Sequence, residues 1–359
     1  MWLHIAMAFD DFNHRFVEAQ RRLVSQASDF SLETIASMVD SLAIDPSPQY
    51  QRRQRWDFAR QSALIESFLL NVPVPPVYLA EEDFGVYSVI DGKQRITAIH
   101  DYMRGQFALR SLAELPELNG ARIGDLPESM SNALRMRPYI RAVTLLKQSD
   151  PELKFEVFLR LNRGGESLTP QEVRNVAFRG PLNDLILRLS DNGFLRQQFN
   201  IVETSERYRQ MQDAEFVLRF LTLREVWPNF GGDLAAAMDS FMLHNSRRHP
   251  DELFEYADQF RYAVDACARI WGDYAYRRSE NGQWRGRALL GMYDAQMLAV
   301  SLVDDETVQR AAAKRHIVIE RTARLFDNSE FLAAATVATN TSARLRYRVD
   351  QVAQLLVES

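Results

Sequence analysis

Five consecutive residues, Asp91, Gly92, Lys93, Gln94 and Arg95, bring together a carboxylate, a glycine, two cations and an amide. They stand where an apolar stretch at residues 87–90 hands over to a helical pattern. A helix N-terminus presents unsatisfied backbone N–H groups and the positive end of its dipole. Entered from a strand through glycine, it becomes an anion site, because glycine lets the backbone approach a ligand closely. Lys93 would add a point charge and Arg95 a planar, bidentate donor, both suited to phosphate oxygens. Gln94 can donate to a phosphate or orient a water. Asp91 can hold Arg95 in place or stand in the outer shell of a Mg²⁺ ion. The blander reading is a turn whose cations simply solvate the helix start. Against it, two cations oppose the dipole there, which implies a compensating anion. The spaced glycines and Lys-Ser/Thr pair of a Walker A loop are absent.

The elements that must position this turn follow from periodicity and punctuation. Apolar spacing predicts helices over 10–28 and 31–42, and again over 57–71. Two prolines at 46 and 48 force extended backbone before them. Residues 73–80 begin rigid and end as a strand, which the strand at 87–90 can pair. The helix after the turn is expected over 95–104, with Gly105 as its stop. A short strand is expected at 107–112, and a loop with one short helix over 114–137. Residues 139–147 read as a central strand. Asp150-Pro151 opens a helix through Leu161, and Thr169-Pro170-Gln171-Glu172 is a capping box with Pro at the first helical position. From about residue 176 strand signals disappear. Helices are expected over 207–226, 233–245, 250–271, 286–303, 305–326 and 342–357. The chain is therefore read as a mixed α+β half followed by an all-helical C-terminal domain.

Composition excludes several classes. With 359 residues, 46% hydrophobic and 25% charged, this is an ordinary globular composition, long enough for two cores. No apolar run approaches the roughly 18 residues of a membrane span. The apolar start lacks a basic leader, so it does not read as a signal peptide. One cysteine, Cys267, fits a reducing cytoplasm and, from its helical spacing with Val264 and Ile270, a core position. A net charge of −5 argues against coating nucleic acid by bulk electrostatics. Only Lys93, Lys147, Lys154 and Lys314 are lysines among 43 basic residues, so a lysine in the polar turn stands out.

At this level the chain resembles a known family. Gln51-Arg52 upstream of Trp56, LIESFLLNVPVPPVYL at 64–79 and VIDGKQRITAIH at 89–100 resemble the N-terminal domain of GmrSD-type, type IV restriction endonucleases. FLRLNRGGESLTPQEVRN at 158–175 looks like that family's second block. RQMQDAEFVLRF at 209–220 and GDYAYRR at 272–278 continue the likeness more loosely. The resemblance implies a ParB/sulfiredoxin-like small mixed sheet with helices, in which a strand, polar turn and helix bind nucleotide phosphates. It implies action in restriction of phage or modified DNA, with NTP binding or hydrolysis gating a nuclease. Its signature is Asp-Gly-Gln-Gln-Arg; here Lys93 replaces the first Gln. Asp91, Gly92, Gln94 and Arg95 match that signature. Gln51 and Arg52 match an upstream pair, and Arg160, Asn162, Glu172, Arg174 and Asn175 match the second block. The family's nucleases use a His-Asn-His centre, whereas the closest histidine pair here, His244 and His249, reads as one helix end and the next cap. No nuclease is therefore expected in this chain.

The expectations are a helical extension at 1–30, a nucleotide-binding domain at 31–175 and a helical domain at 176–359. The expected ligand is an NTP with Mg²⁺, held by Gln51, Arg52, Gly92, Lys93, Arg95, Arg160, Asn162, Arg174 and Asn175. Asp91, Gln94 and Arg95 would act on it, with or without hydrolysis. Expected partners are DNA, a separate nuclease or other defence protein, and a second copy, with no membrane. Arg53, Arg55 and Trp56 could clamp phosphates or stack on a base, or the tryptophan could be pinned into the core. Arg285 and Arg287, in a polar, glycine-containing basic stretch, are the nucleic-acid candidates of the C-terminal half. The rival reading is an adaptor without catalysis whose polar turn grips DNA phosphates.

Overall fold

The computed structural model describes residues 22–45, 56–161 and 169–359, and the chain divides into units of residues 1–168 and 169–359. The first unit runs β1 (Ser25–Ser31), α1 (Leu32–Asp40), β2 (Ile44–Asp45), α2 (Phe58–Leu69), β3 (Val77–Asp83) and β4 (Val86–Asp91). It continues through α3 (Lys93–Met103), α4 (Glu128–Met136), β5 (Tyr139–Leu145) and α5 (Pro151–Leu161). The five strands lie in the order β1-β5-β3-β4-β2. The β1/β5 and β3/β4 pairs are antiparallel, and β5/β3 and β4/β2 are parallel. This is the small mixed sheet of an α+β unit. Tyr139–Leu145 shows why it forms: Ile140, Ala142 and Thr144 are buried while Tyr139 and Arg141 face out, the period-two pattern of a strand packed on one face. β5 is interior, between β1 and β3, as a beta-branched, apolar run should be.

Helices α1, α2 and α3 cover the sheet with Ile35, Ile65, Ile96, Ile99 and Tyr102, all inaccessible to solvent. Each of these isoleucines contributes roughly 1.5–3 kcal/mol through burial. Ser31 caps α1 and Asp57 caps α2 through their side-chain oxygens, and Asp150 caps α5 by accepting from the Glu152 and Leu153 amides.

Two local expectations are corrected here. Residues 25–28, read as the end of a helix over 10–28, are strand; residues 1–21 lie outside the described residues. Pairing with β5 overrides the helical spacing, and Asp29 sits opposite Arg141, 2.9 Å from its Nε. Residues 107–112 form no strand. Phe107, Leu109 and Leu112 are buried, which produced the strand-like pattern, but their backbone is met locally. Leu109 bonds with Ala121 and Gly120. Ser62 Oγ accepts from the Arg110 amide at 2.9 Å, and the Glu66 carboxylate accepts from Ala113, Glu114 and Leu115. Burial alone would raise the Glu66 carboxyl pKa; the three amide donors outweigh it and hold the value below the ordinary one.

The second unit is α6 (Pro170–Ala177), α7 (Pro181–Ser190), α8 (Gly193–Phe199), α9 (Glu206–Arg209), α10 (Gln212–Val226), α11 (Leu234–Asn245) and α12 (Phe254–Trp271). Then come β6 (Arg277–Glu280), β7 (Gln283–Ala288), α13 (Leu290–Leu302), α14 (Asp305–Ala313), α15 (Arg315–Leu325), α16 (Ser329–Thr336) and α17 (Ser342–Val357). The unit is helical, with the departure that β6 and β7 pair as an antiparallel hairpin where only helix or loop was expected. At its centre Asp294 of α13 accepts from Arg219 of α10 and Arg348 of α17, at 2.5–2.7 Å. All three side chains are at most 3% exposed. Cys267 is buried on α12, in keeping with its spacing. Among the described residues no helix is long and apolar enough to cross a membrane.

Candidate functional site

The strand β4 ends at Asp91 and α3 begins at Lys93, two residues earlier than the sequence suggested, so Lys93, Gln94 and Arg95 are its first turn. Gly92 is the N-cap, with φ 94° and ψ 12°, a left-handed conformation that glycine adopts without strain. It is also the only residue type that fits. A Cβ built there would lie 2.5 Å from Val77 Cγ1 and 3.1 Å from Arg95 Nη2. Having no side chain, Gly92 leaves the amides of the first turn uncovered by the cap residue, the opposite of Ser31 or Asp57. Helix start and strand end are both anchored in the core, Ile96 below the turn and Val89 and Ile90 before it.

Arg95 is 16% exposed and its Nη2 donates to Asp91 Oδ2 at 2.8 Å and to the Pro76 carbonyl at 3.1 Å. The carboxylate thus holds the guanidinium, one of the two roles open to it from sequence, and ties the start of α3 to the stretch leading into β3. The Arg95 Nε is buried and has no hydrogen-bond partner among the described residues. Gln94 Oε1 accepts from the Trp56 amide at 3.0 Å, and Gln61 Nε2 donates to the Trp56 carbonyl at 2.8 Å. Gln94 therefore fastens the Trp56 main chain, just before α2, to the turn. The indole of Trp56 packs against the core, and Arg60 lies over its ring, 4.7 Å from the centroid. Both the Trp56–Gln94 link and Arg60 escaped sequence reasoning. The four-residue spacing of Trp56 and Arg60 across the start of α2 was the available signal.

Gln51, Arg52, Arg53, Arg55 and Asn162 lie outside the described residues. Lys93 is half-buried in the first turn. Arg160, in the last turn of α5, is exposed and pairs with Glu156 at 2.7 Å. Glu172 closes the expected capping box on Thr169. In the second unit Arg174 is 2% exposed and donates to Asp239 at 2.6 Å. Asn175 is fully buried and accepts from Asn183 at 2.9 Å. His244 closes α11 by bonding to the Ser240 carbonyl, and His249 caps the 3-10 turn Pro250–Leu253. Among the described residues there is no group of three or more His, Cys, Asp or Glu side chains that could hold a metal ion.

Comparison with curated proteins and with solved structures returned no match. The family model described as "GmrSD restriction endonuclease, N-terminal domain" matches residues 35–179. That span opens within α1, contains the sheet from β2 to β5 and the polar turn, and ends just past α6. Residues 35–179 are thus similar to the N-terminal domain of the GmrSD restriction endonucleases.

Proposed function

We propose that the chain is a nucleotide-binding regulatory component of a DNA-restriction or phage-defence system, with the phosphates seated on the start of α3. The observation that carries the reading is Gly92. Its backbone is left-handed, it leaves no room for a Cβ, and no side-chain cap hydrogen bond is made to the first amides of α3. A phosphate there would meet the amide donors, the helix dipole and the Lys93 ammonium together. In this reading Arg95 keeps the turn in shape through Asp91 and Pro76, and Gln94 holds the Trp56 main chain. The magnesium ion of an NTP complex would arrive on the phosphates, because no three-carboxylate or histidine cluster stands among the described residues. Arg174 takes no part here, since its guanidinium is engaged by Asp239. The likeness to a ParB/sulfiredoxin fold belongs to this proposal.

Lys93→Gln is the informative variant, because it removes the charge, restores the family's signature residue and leaves the Arg95 tie intact. With Mg²⁺ and ATP, GTP, CTP or UTP at 100 times its dissociation constant, the wild type should be stabilised by about 2.7 kcal/mol. At that fixed concentration the variant should show a smaller thermal shift with the same preferred base. No shift with any of the four nucleotides in the folded wild type would sink the reading. A steeply salt-dependent affinity for DNA that Lys93→Gln weakens would then favour a turn that grips DNA phosphates.

A further inference from the structure

The hairpin β6–β7 is short, charged and exposed, and nothing in the nucleotide reading uses it. Its turn, Asn281-Gly282, has positive φ at both residues (52° and 76°), the two-residue turn whose twist matches paired strands. The pairing Glu280↔Gln283 and Ser279↔Trp284 assigns the faces. Ser279, Trp284 and Ala288 point one way, and Ser279 and Ala288 are buried. Tyr274 lies against Trp284, with ring centroids 5.1 Å apart, so this inner face is anchored to the unit.

The other face carries Arg278, Glu280, Gln283 and Arg285, and Arg287 stands in the stretch between Trp284 and Ala288 where the register shifts. Glu280 pairs with both Arg278 and Arg285, so one carboxylate is divided between two guanidiniums. Arg287 is exposed and makes no hydrogen bond or ion pair with any described residue. These three arginines, with one glutamine and one carboxylate, in a chain of net charge −5, concentrate positive charge on one hairpin. Arginine and glutamine are the side chains that contact phosphates and base edges, and a two-stranded ribbon has the width that a B-DNA major groove admits.

We propose that the β6–β7 hairpin is a duplex-DNA contact, presenting Arg278, Arg285 and Arg287 to the major groove. The choice of DNA as the polyanion rests on the restriction-system reading above; the charged face does not. The hairpin belongs to the second unit and the polar turn to the first, and their tests separate likewise.

The test is fluorescence anisotropy of the full chain with a labelled duplex of about 20 base pairs, titrated at several salt concentrations. The variants are Arg285→Ala/Arg287→Ala and the milder Arg287→Ala. The double variant should bind at least tenfold more weakly, and its log affinity should fall less steeply with log salt, by about two units of slope for two lost phosphate contacts. Arg287→Ala, which removes no interaction among the described residues, should give an intermediate loss with an unchanged melting temperature. Unaltered affinity in the double variant, no duplex binding by the wild type at 50 mM salt, or tighter binding of a single strand or RNA of equal length would each overturn the proposal. The nucleotide-induced thermal shift of the double variant should equal that of wild type. A wild type that binds duplex through the hairpin yet answers to no nucleotide would defeat only the function proposed for the polar turn.

Discussion

Gly92 shows how much one residue fixes at the turn. Its backbone is left-handed, which costs roughly 1–2 kcal/mol for a residue with a Cβ, and the missing Cβ leaves the space that Val77 fills. Gly92→Ala should therefore destabilise the first unit by about 2 kcal/mol or more, read by denaturant unfolding. Val77→Ala in that background should recover the steric part and leave the conformational part. Full recovery would mean that φ carries no penalty there. The sequence identified Gly92, Lys93 and Arg95 as the chemical residues because their types are unusual at a helix start. It left the role of Asp91 open between an arginine partner and a metal shell. That choice depends on where the Pro76 carbonyl lies, and the Pro76 position follows from the pairing of β3, which no local pattern contains.

Among elements, α1 and α3 are joined by a charged seam. His100 stands between Asp101 and Asp40, with its ring nitrogens 3.1 and 3.0 Å from their oxygens. Arg104 of the α3 C-cap reaches both Asp40 and Glu33. The hydrogen bond to Asp101 raises the His100 pKa above its ordinary 6.5; burial opposes this, and Asp40 adds to the rise. A raised folded pKa means stability that is full below about pH 6.5 and lost as pH climbs through the higher folded value. The stability of the first unit should decline across that interval in wild type. In His100→Gln the decline should be absent, as measured by chemical denaturation at pH 6, 7 and 8. An identical slope in the variant would assign the pH dependence to another group.

The same scale explains which elements were legible. Helices with a cap and a proline, such as α5 and α6, announce themselves locally, as does β5 with its beta-branched alternation. β1 was read as helix because strand pairing with β5 is a long-range fact. The β6–β7 hairpin was missed because its outer face is arginine and glutamine rather than apolar, although Asn281-Gly282 was a turn signal in plain view. Phe107, Leu109 and Leu112 alternate like a strand while their amides and carbonyls are met by other groups.

On the scale of the whole molecule, the second unit is organised around one buried carboxylate. Asp294 joins α10, α13 and α17 through Arg219 and Arg348, and Arg348 also donates to the Thr339 carbonyl at 2.6 Å. Asp294→Asn keeps the shape and removes the charge, leaving two guanidiniums in the interior without their counter-ion. Breaking a buried pair in this way typically costs about 3–5 kcal/mol. The variant should lower the melting midpoint followed by far-ultraviolet circular dichroism by several degrees. A shift below one degree would show that the cluster is not electrostatically coupled. Glu66 works on a different principle. It grips residues 113–115 through their main-chain amides, and every amino acid except proline offers the same amide. The path of residues 113–115 is therefore stored in part in α2, so the exposed Ala113 and Glu114 can change across descendants of this gene while the course of the chain there is inherited.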